Sequence, residues 1–140
     1  MELPNQPVLT LELSKAIAEA ATAYAVDRGW TIVVAIVDAG GHLVSFERMD
    51  GVAHGTVQVA ILKAQSAAAF RVPSKTFENA VDDGLLGLVA LPGMAPYEGA
   101  VPITVAGVTI GAIAVSGVTK EIDGEIAQAA ADAVPDLLRG

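Results

Sequence analysis

The chain has 140 residues, sixteen acidic against eight basic, a net charge of −8 and no cysteine. These counts exclude disulfide frameworks, thiolate metal sites and cysteine nucleophiles, and they leave no basic surface for nucleic acid. Hydrophobic residues reach 53% with aromatics at only 4%, which describes an aliphatic folded domain with little flat stacking surface, and no apolar run approaches the ~20 residues of a membrane span. Residues 1–8 carry two prolines and no periodicity, and the start lacks the pattern of a signal peptide. The expectation is an N-terminal arm (1–8) before one cytoplasmic domain (9–140).

Thr10 is a good N-cap, and Leu13, Ile17, Ala20, Ala21 and Tyr24 recur at helical spacing until Asp27-Arg28-Gly29 ends the helix. Trp30 to Val37 is β-branched and nearly all apolar, which predicts a strand covered on both faces. Gly40-Gly41 supplies a hairpin turn, and His42 to Met49 returns; with that turn Val37 pairs with Val44, Ala35 with Phe46 and Val33 with Arg48. Residues 51–70 hold one full charge, Lys63, so a helix from Thr56 to Phe70 is buried nearly all round, in part between subunits. Ser74 caps a short helix that Gly84 stops, and Leu85 to Leu91 is ambiguous between helix and strand. Pro92 to Pro102 forms an ordered loop, Val101–Val105 and Val108–Val115 a second hairpin, and Thr119 caps a last helix that Pro135 ends or kinks. The order is α+β, with an antiparallel sheet between helices.

Lys63 is either a buried ammonium needing a carboxylate or a snorkelling lysine with its head in water; Asp50, Asp38 and Glu98 are its expected partners, within or between subunits. Arg48 can clamp an anionic group or pair with Asp50 or Asp38 to fix the turn. His42 follows the glycine turn as a surface residue would, whereas His54, between a charged strand end and a helix start, can act as general base or axial ligand. No two-histidine metal motif, nucleotide-binding loop or nucleophile elbow occurs. Tyr97 and Glu98 lie on a loop able to rim a pocket. The expected site therefore gathers Arg48, Asp50, Lys63 and Asp38 around a ligand, with His54, Glu98 and Tyr97 moving protons.

Asp38-Ala-Gly-Gly-His-Leu-Val44, Arg48-Met-Asp-Gly51, Lys63-Ala64, Leu91-Pro-Gly93, Gly99-x-Val-Pro-Ile103, Gly111-Ala-Ile-x-Val-Ser-Gly117 and Asp123 follow one another along the chain. This series resembles the GlcG/HbpS-like family over about residues 9–133. The resemblance implies a profilin-like α/β/α arrangement around a five-stranded antiparallel sheet, and homo-oligomers from dimers to octamers. It implies haem binding for some members, with His42 or His54 as the ligands this chain could offer, and catabolic operons for others. Pro96-Tyr97-Glu98-Gly99-Ala100 departs from the small residues usual there, and α-helical residues 10–27 hold no histidine, cysteine or methionine.

Two function classes follow. The first is a small-ligand-binding protein resembling the haem-binding members, with its pocket at an oligomer interface. The second is a cofactor-independent enzyme, of tautomerase, isomerase, hydratase or lyase type, acting on a small carboxylated or carbonyl metabolite of a catabolic pathway. Hydride transfer is excluded for want of a dinucleotide site.

Overall fold

In the computed structural model, which describes all 140 residues, two helical layers sandwich one sheet. The elements are α1 (Leu11–Asp27), β1 (Val33–Asp38), β2 (Leu43–Arg48), α2 (Gly55–Phe70), α3 (Ser74–Asp82), a 3-10 helix (Leu86–Ala90), β3 (Ala100–Val105), β4 (Val108–Ser116), α4 (Lys120–Asp132) and α5 (Val134–Arg139). The strands run in the order β2-β1-β4-β3, all antiparallel. The sheet thus has four strands rather than the expected five. The ambiguous stretch 85–91 is the reason: Gly84 turns the chain at φ +105° and the residues after it coil into the 3-10 helix, with Leu86 and Val89 exposed.

The sequence explains most of the remaining elements. Thr10 Oγ1 accepts from Leu13 N at 3.1 Å and Thr119 Oγ1 from Ile122 N at 3.2 Å, so the two expected caps start α1 and α4. Ser74 is not a cap: it lies inside α3, and its buried hydroxyl bridges to the N–H and carbonyl of Ala100, tying α3 to β3. In the first hairpin Ala35 pairs with Phe46 and Val33 with Arg48, but Val37 pairs with Leu43. The irregularity arises because Asp38 Oδ1 accepts from Gly40 N and His42 N, which folds the turn residues onto the strand end and shifts the pairing by one residue.

Side-chain alternation on the sheet separates two cores. One holds bulky aliphatics, Val34, Ile36, Ile113 and Val115, against Ile17 of α1 and Ile126 of α4. The other is mostly alanine: Ala35, Ala112 and Ala114 meet Ala60, Ala64 and Ala67 of α2. Small side chains on both surfaces let α2 lie close against the sheet. Its outer side remains open, with Val59 and Phe70 exposed, so a single chain does not enclose the helix. No helix is long and apolar enough to cross a membrane.

Candidate functional site

Lys63 projects from α2 into the sheet face with its side chain 0% exposed. Its Nζ donates to Val115 O at 2.7 Å and to Glu98 O at 3.2 Å, and stands 3.9 Å from Asp123 Oδ2. Lys63 is therefore buried rather than snorkelling. Its carboxylate partner is Asp123, in the first turn of α4, and not Asp50, Asp38 or Glu98; Glu98 contributes its carbonyl. Burial pulls the Lys63 ammonium down to a pKa of about 8, against the opposing pull of Asp123, Glu78 and Glu98. Burial also pushes Asp123 up, resisted by the amides of Val118 and Gly117 and by Lys63.

A polar chain continues outward from this pair. Glu98 N donates to Glu78 Oε1 at 3.3 Å, Glu78 Oε2 pairs with Lys120 Nζ at 3.2 Å, and Glu98 Oε1 faces Lys75 Nζ at 3.8 Å. The ring of Tyr97 lies 5.7 Å from both Lys63 Nζ and Lys120 Nζ, half exposed, as a roof between the two ammonium groups. Gly99 is what lets Lys63 reach this position. A Cβ there would collide with Nζ, and its φ of +137° suits glycine alone.

Asp123, Tyr97 and Lys120 also line a cleft of about 390 Å³ between the N-terminal ends of α2 and α4, with Gly55 and Ser116 on its walls. A second cleft, of about 400 Å³, lies on the other side of Glu98 and contains Lys75 and Glu121. The structure brings Lys63, Tyr97 and Glu98 together. It does not bring the other expected residues to them: Arg48, Asp50 and His54 are exposed, form no ion pair and line neither cleft. Arg48 ends an edge strand whose side chains leave the sheet there, and His54 precedes α2 without capping it. Asp38 is occupied in its own turn and faces His42 Nδ1 at 3.5 Å. Asp123, Glu78 and Lys120 complete the cluster, and sequence reasoning missed Glu78 and Lys120 altogether. Asp123 had a signal in its place on the first turn after the Thr119 cap.

The family model described as "Haem degrading protein HbpS-like" matches residues 9–132. The chain belongs to the HbpS-like family. It is 36% identical to Protein GlcG of Escherichia coli K12 over 114 residues, 81% of this chain and 85% of that protein. Among solved structures it is similar to Klebsiella pneumoniae ORFY, with a TM-score of 0.89, 28% identity and coverage of 96% and 97% of the two chains. It is likewise similar to the PduOC–haem complex, with a TM-score of 0.83, 26% identity and coverage of 91% and 95%.

Neither histidine of the chain is placed to ligate a haem in the cleft. Such a site needs a strong axial donor facing a pocket. His42 is 84% exposed in its side chain and His54 is exposed on the surface, and neither lines either cleft. The cleft under Tyr97 contains no histidine, cysteine or methionine, so the Tyr97 phenol is the one axial donor it offers, and its lining mixes Val59 and Val118 with Ser116, Lys120 and Asp123.

Proposed function

We propose that this chain is a small-ligand-binding protein whose ligand occupies the cleft between the N-terminal ends of α2 and α4, with a second copy completing its mouth. One observation carries the reading: a buried ion pair, Lys63–Asp123, presents its carboxylate to an open cleft of about 390 Å³. A buried pair contributes little net stability compared with apolar packing, so its use here is to hold the wall in one geometry. The volume falls within the ~300–1,000 Å³ usual for small-molecule sites. The similarity to a protein solved with haem supports ligand binding as a class. Exposed Val59 and Tyr97 at the rim support coverage by a second copy.

Gly55 provides the test. A side chain there meets nothing within 4 Å and its φ is ordinary, so Gly55→Leu leaves the fold intact and occludes the cleft. A thermal-shift screen of small metabolites should yield ligands that stabilise the wild type and not Gly55→Leu. Ligands that stabilise both equally refute the site. Haemin belongs in the same screen, read by its absorption band.

The enzyme reading rests on one further observation. Asp123 lines the cleft with its pKa raised by burial, beside the Tyr97 phenol and Lys120. A carboxyl that holds its proton more readily can act as an acid toward a carbonyl ligand. Proton exchange into a bound carbonyl compound in D2O, lost in Asp123→Asn, tests it.

A further inference from the structure

Several polar groups on the cleft are free to donate. Ala53 O accepts from both Thr56 N and Thr56 Oγ1, and the Asp123 carboxyl is engaged by Val118 N, Gly117 N and Lys63. These two acceptors are thus partly engaged and keep lone pairs of their own. On the donor side, Gly55 and Lys120 are the first residues of α2 and α4, and first-turn amides have no intrahelical partner. Thr119 accepts from Ile122 N with one lone pair and keeps its hydroxyl proton free to donate. Lys120 adds an ammonium, shared with Glu78.

Ser116 is the independent observation. It follows Ala112 and Ala114 on the α2 side of β4, is 6% exposed, and forms no hydrogen bond through its hydroxyl. No buried side-chain oxygen is sealed without a partner, so Ser116 Oγ opens onto the cleft that it lines. Its proton and lone pairs are therefore available to a ligand in the cleft. The two helix ends aim partial positive charge at the same space; α2 has no acidic residue in its first turn and no side-chain cap, whereas α4 carries Glu121 and Asp123 in its first turn.

We infer that the cleft takes a carboxylate, held by Ser116 Oγ, the Gly55 amide and the α4 N-terminus with Lys120. The inference deepens the proposed function and rests on the same cleft. An acid meets this donor set with both oxygens, whereas the matching neutral amide offers one acceptor oxygen and an NH2 that faces further donors. The ligand class is accordingly small monocarboxylic acids rather than their amides or esters.

The experiment titrates the full chain with butanoate and benzoate, and with butanamide and benzamide, following backbone amides in 15N–1H spectra. Both acids should shift the Gly55, Gly117 and Lys120 amides saturably, with the amides bound roughly tenfold more weakly. Ser116→Ala removes no internal hydrogen bond, so it keeps the wild-type melting temperature, and it should weaken the acids about fivefold and leave the amides unchanged. Amides that bind the cleft as well as acids overturn the inference and leave the cleft standing as a ligand site. Acids that bind equally to wild type and Ser116→Ala overturn the role of the hydroxyl, and shifts absent from the cleft with every probe overturn both readings.

Discussion

Lys63→Met removes an ammonium from beneath the sheet and leaves three groups behind: Asp123, Val115 O and Glu98 O. Each carbonyl that loses its donor costs about 1 kcal/mol, the same at every pH. Asp123 behaves differently. Without its partner the buried carboxylate takes up a proton, at a cost of about 1.36 kcal/mol for each pH unit above its unfolded value. With that value at 3.8, the cost is bounded at about 4 kcal/mol at pH 7 and falls below about 2 kcal/mol at pH 5. The sign follows from linkage: the folded variant binds a proton that the unfolded chain lacks, so its stability falls as pH rises. Urea unfolding of wild type and variant at pH 5, 6 and 7 measures the difference directly, and a melting-temperature drop of roughly 10–15 °C at pH 7 is expected for a domain of this length. Adding Asp123→Asn should recover part of the loss at pH 7, because the amide oxygen still accepts from Val118 N and carries no charge. A loss that is flat with pH, or below about 1 kcal/mol at pH 7, refutes the buried pair.

In the wild type, the Lys63 13Cε resonance should titrate with a midpoint near 8. Its folded pKa lies below the unfolded value of 10.5, so the burial cost is in place below pH 8 and fades as pH rises toward 10.5, which a stability–pH curve will register as a gain across that window. Gly111→Ala would drive a Cβ into Val37 O across the β1–β4 pairing and should cost several kcal/mol by urea denaturation, about as much as severe overpacking. Gly124→Ala would meet the Glu98 side chain from Cγ outward, at 2.8 Å from Oε2 and 3.0 Å from Cγ, a flexible neighbour that can swing aside, and helix propensity offsets the adjustment, so its stability should stay within about 1 kcal/mol of wild type. Thr119→Ala removes the α4 cap and should lower stability by about 1 kcal/mol in the same assay.

Local chemistry made the elements readable. Threonine caps, a glycine pair and an Ala106-Gly107 turn act within a few residues, and α1, α4 and both hairpins form where those signals stand. The reading failed where a local signal was ambiguous or where a distant contact decided. Leu85 to Leu91 is apolar enough for a strand, but both edges of the sheet run without it, and the preceding glycine turns it into a coil of 3-10 helix. The hairpin register slipped because a side chain, Asp38, bonds back to its own turn, which no alternation pattern reveals. The site was legible in Lys63, whose isolation in an apolar helix signals burial. Its partner was not, because Asp123 lies sixty residues on and meets it only through the packing of α2 and α4 on the ends of one sheet. Arg48, Asp50 and His54 drew attention by being charged or scarce, and scarcity carries no information about direction.

The unequal cores have a consequence for how the molecule opens. The face carrying α1 and α4 is held by isoleucine and valine, whereas α2 is held mainly by alanine contacts, by hydrogen bonds from Lys63, Gln65 and Ser66, and by one ion pair. Each alanine contact buries far less area than an aliphatic one, so detaching α2 exposes little apolar surface beyond the Lys63–Asp123 pair. The alanine layer is the seam along which native-state hydrogen exchange will begin: α2 amides exchange through a partial opening, while β1, β4 and α1 stay protected until the whole chain unfolds. Whatever fills the cleft at the start of α2 draws that seam shut, and slows exchange along a helix most of which it never touches.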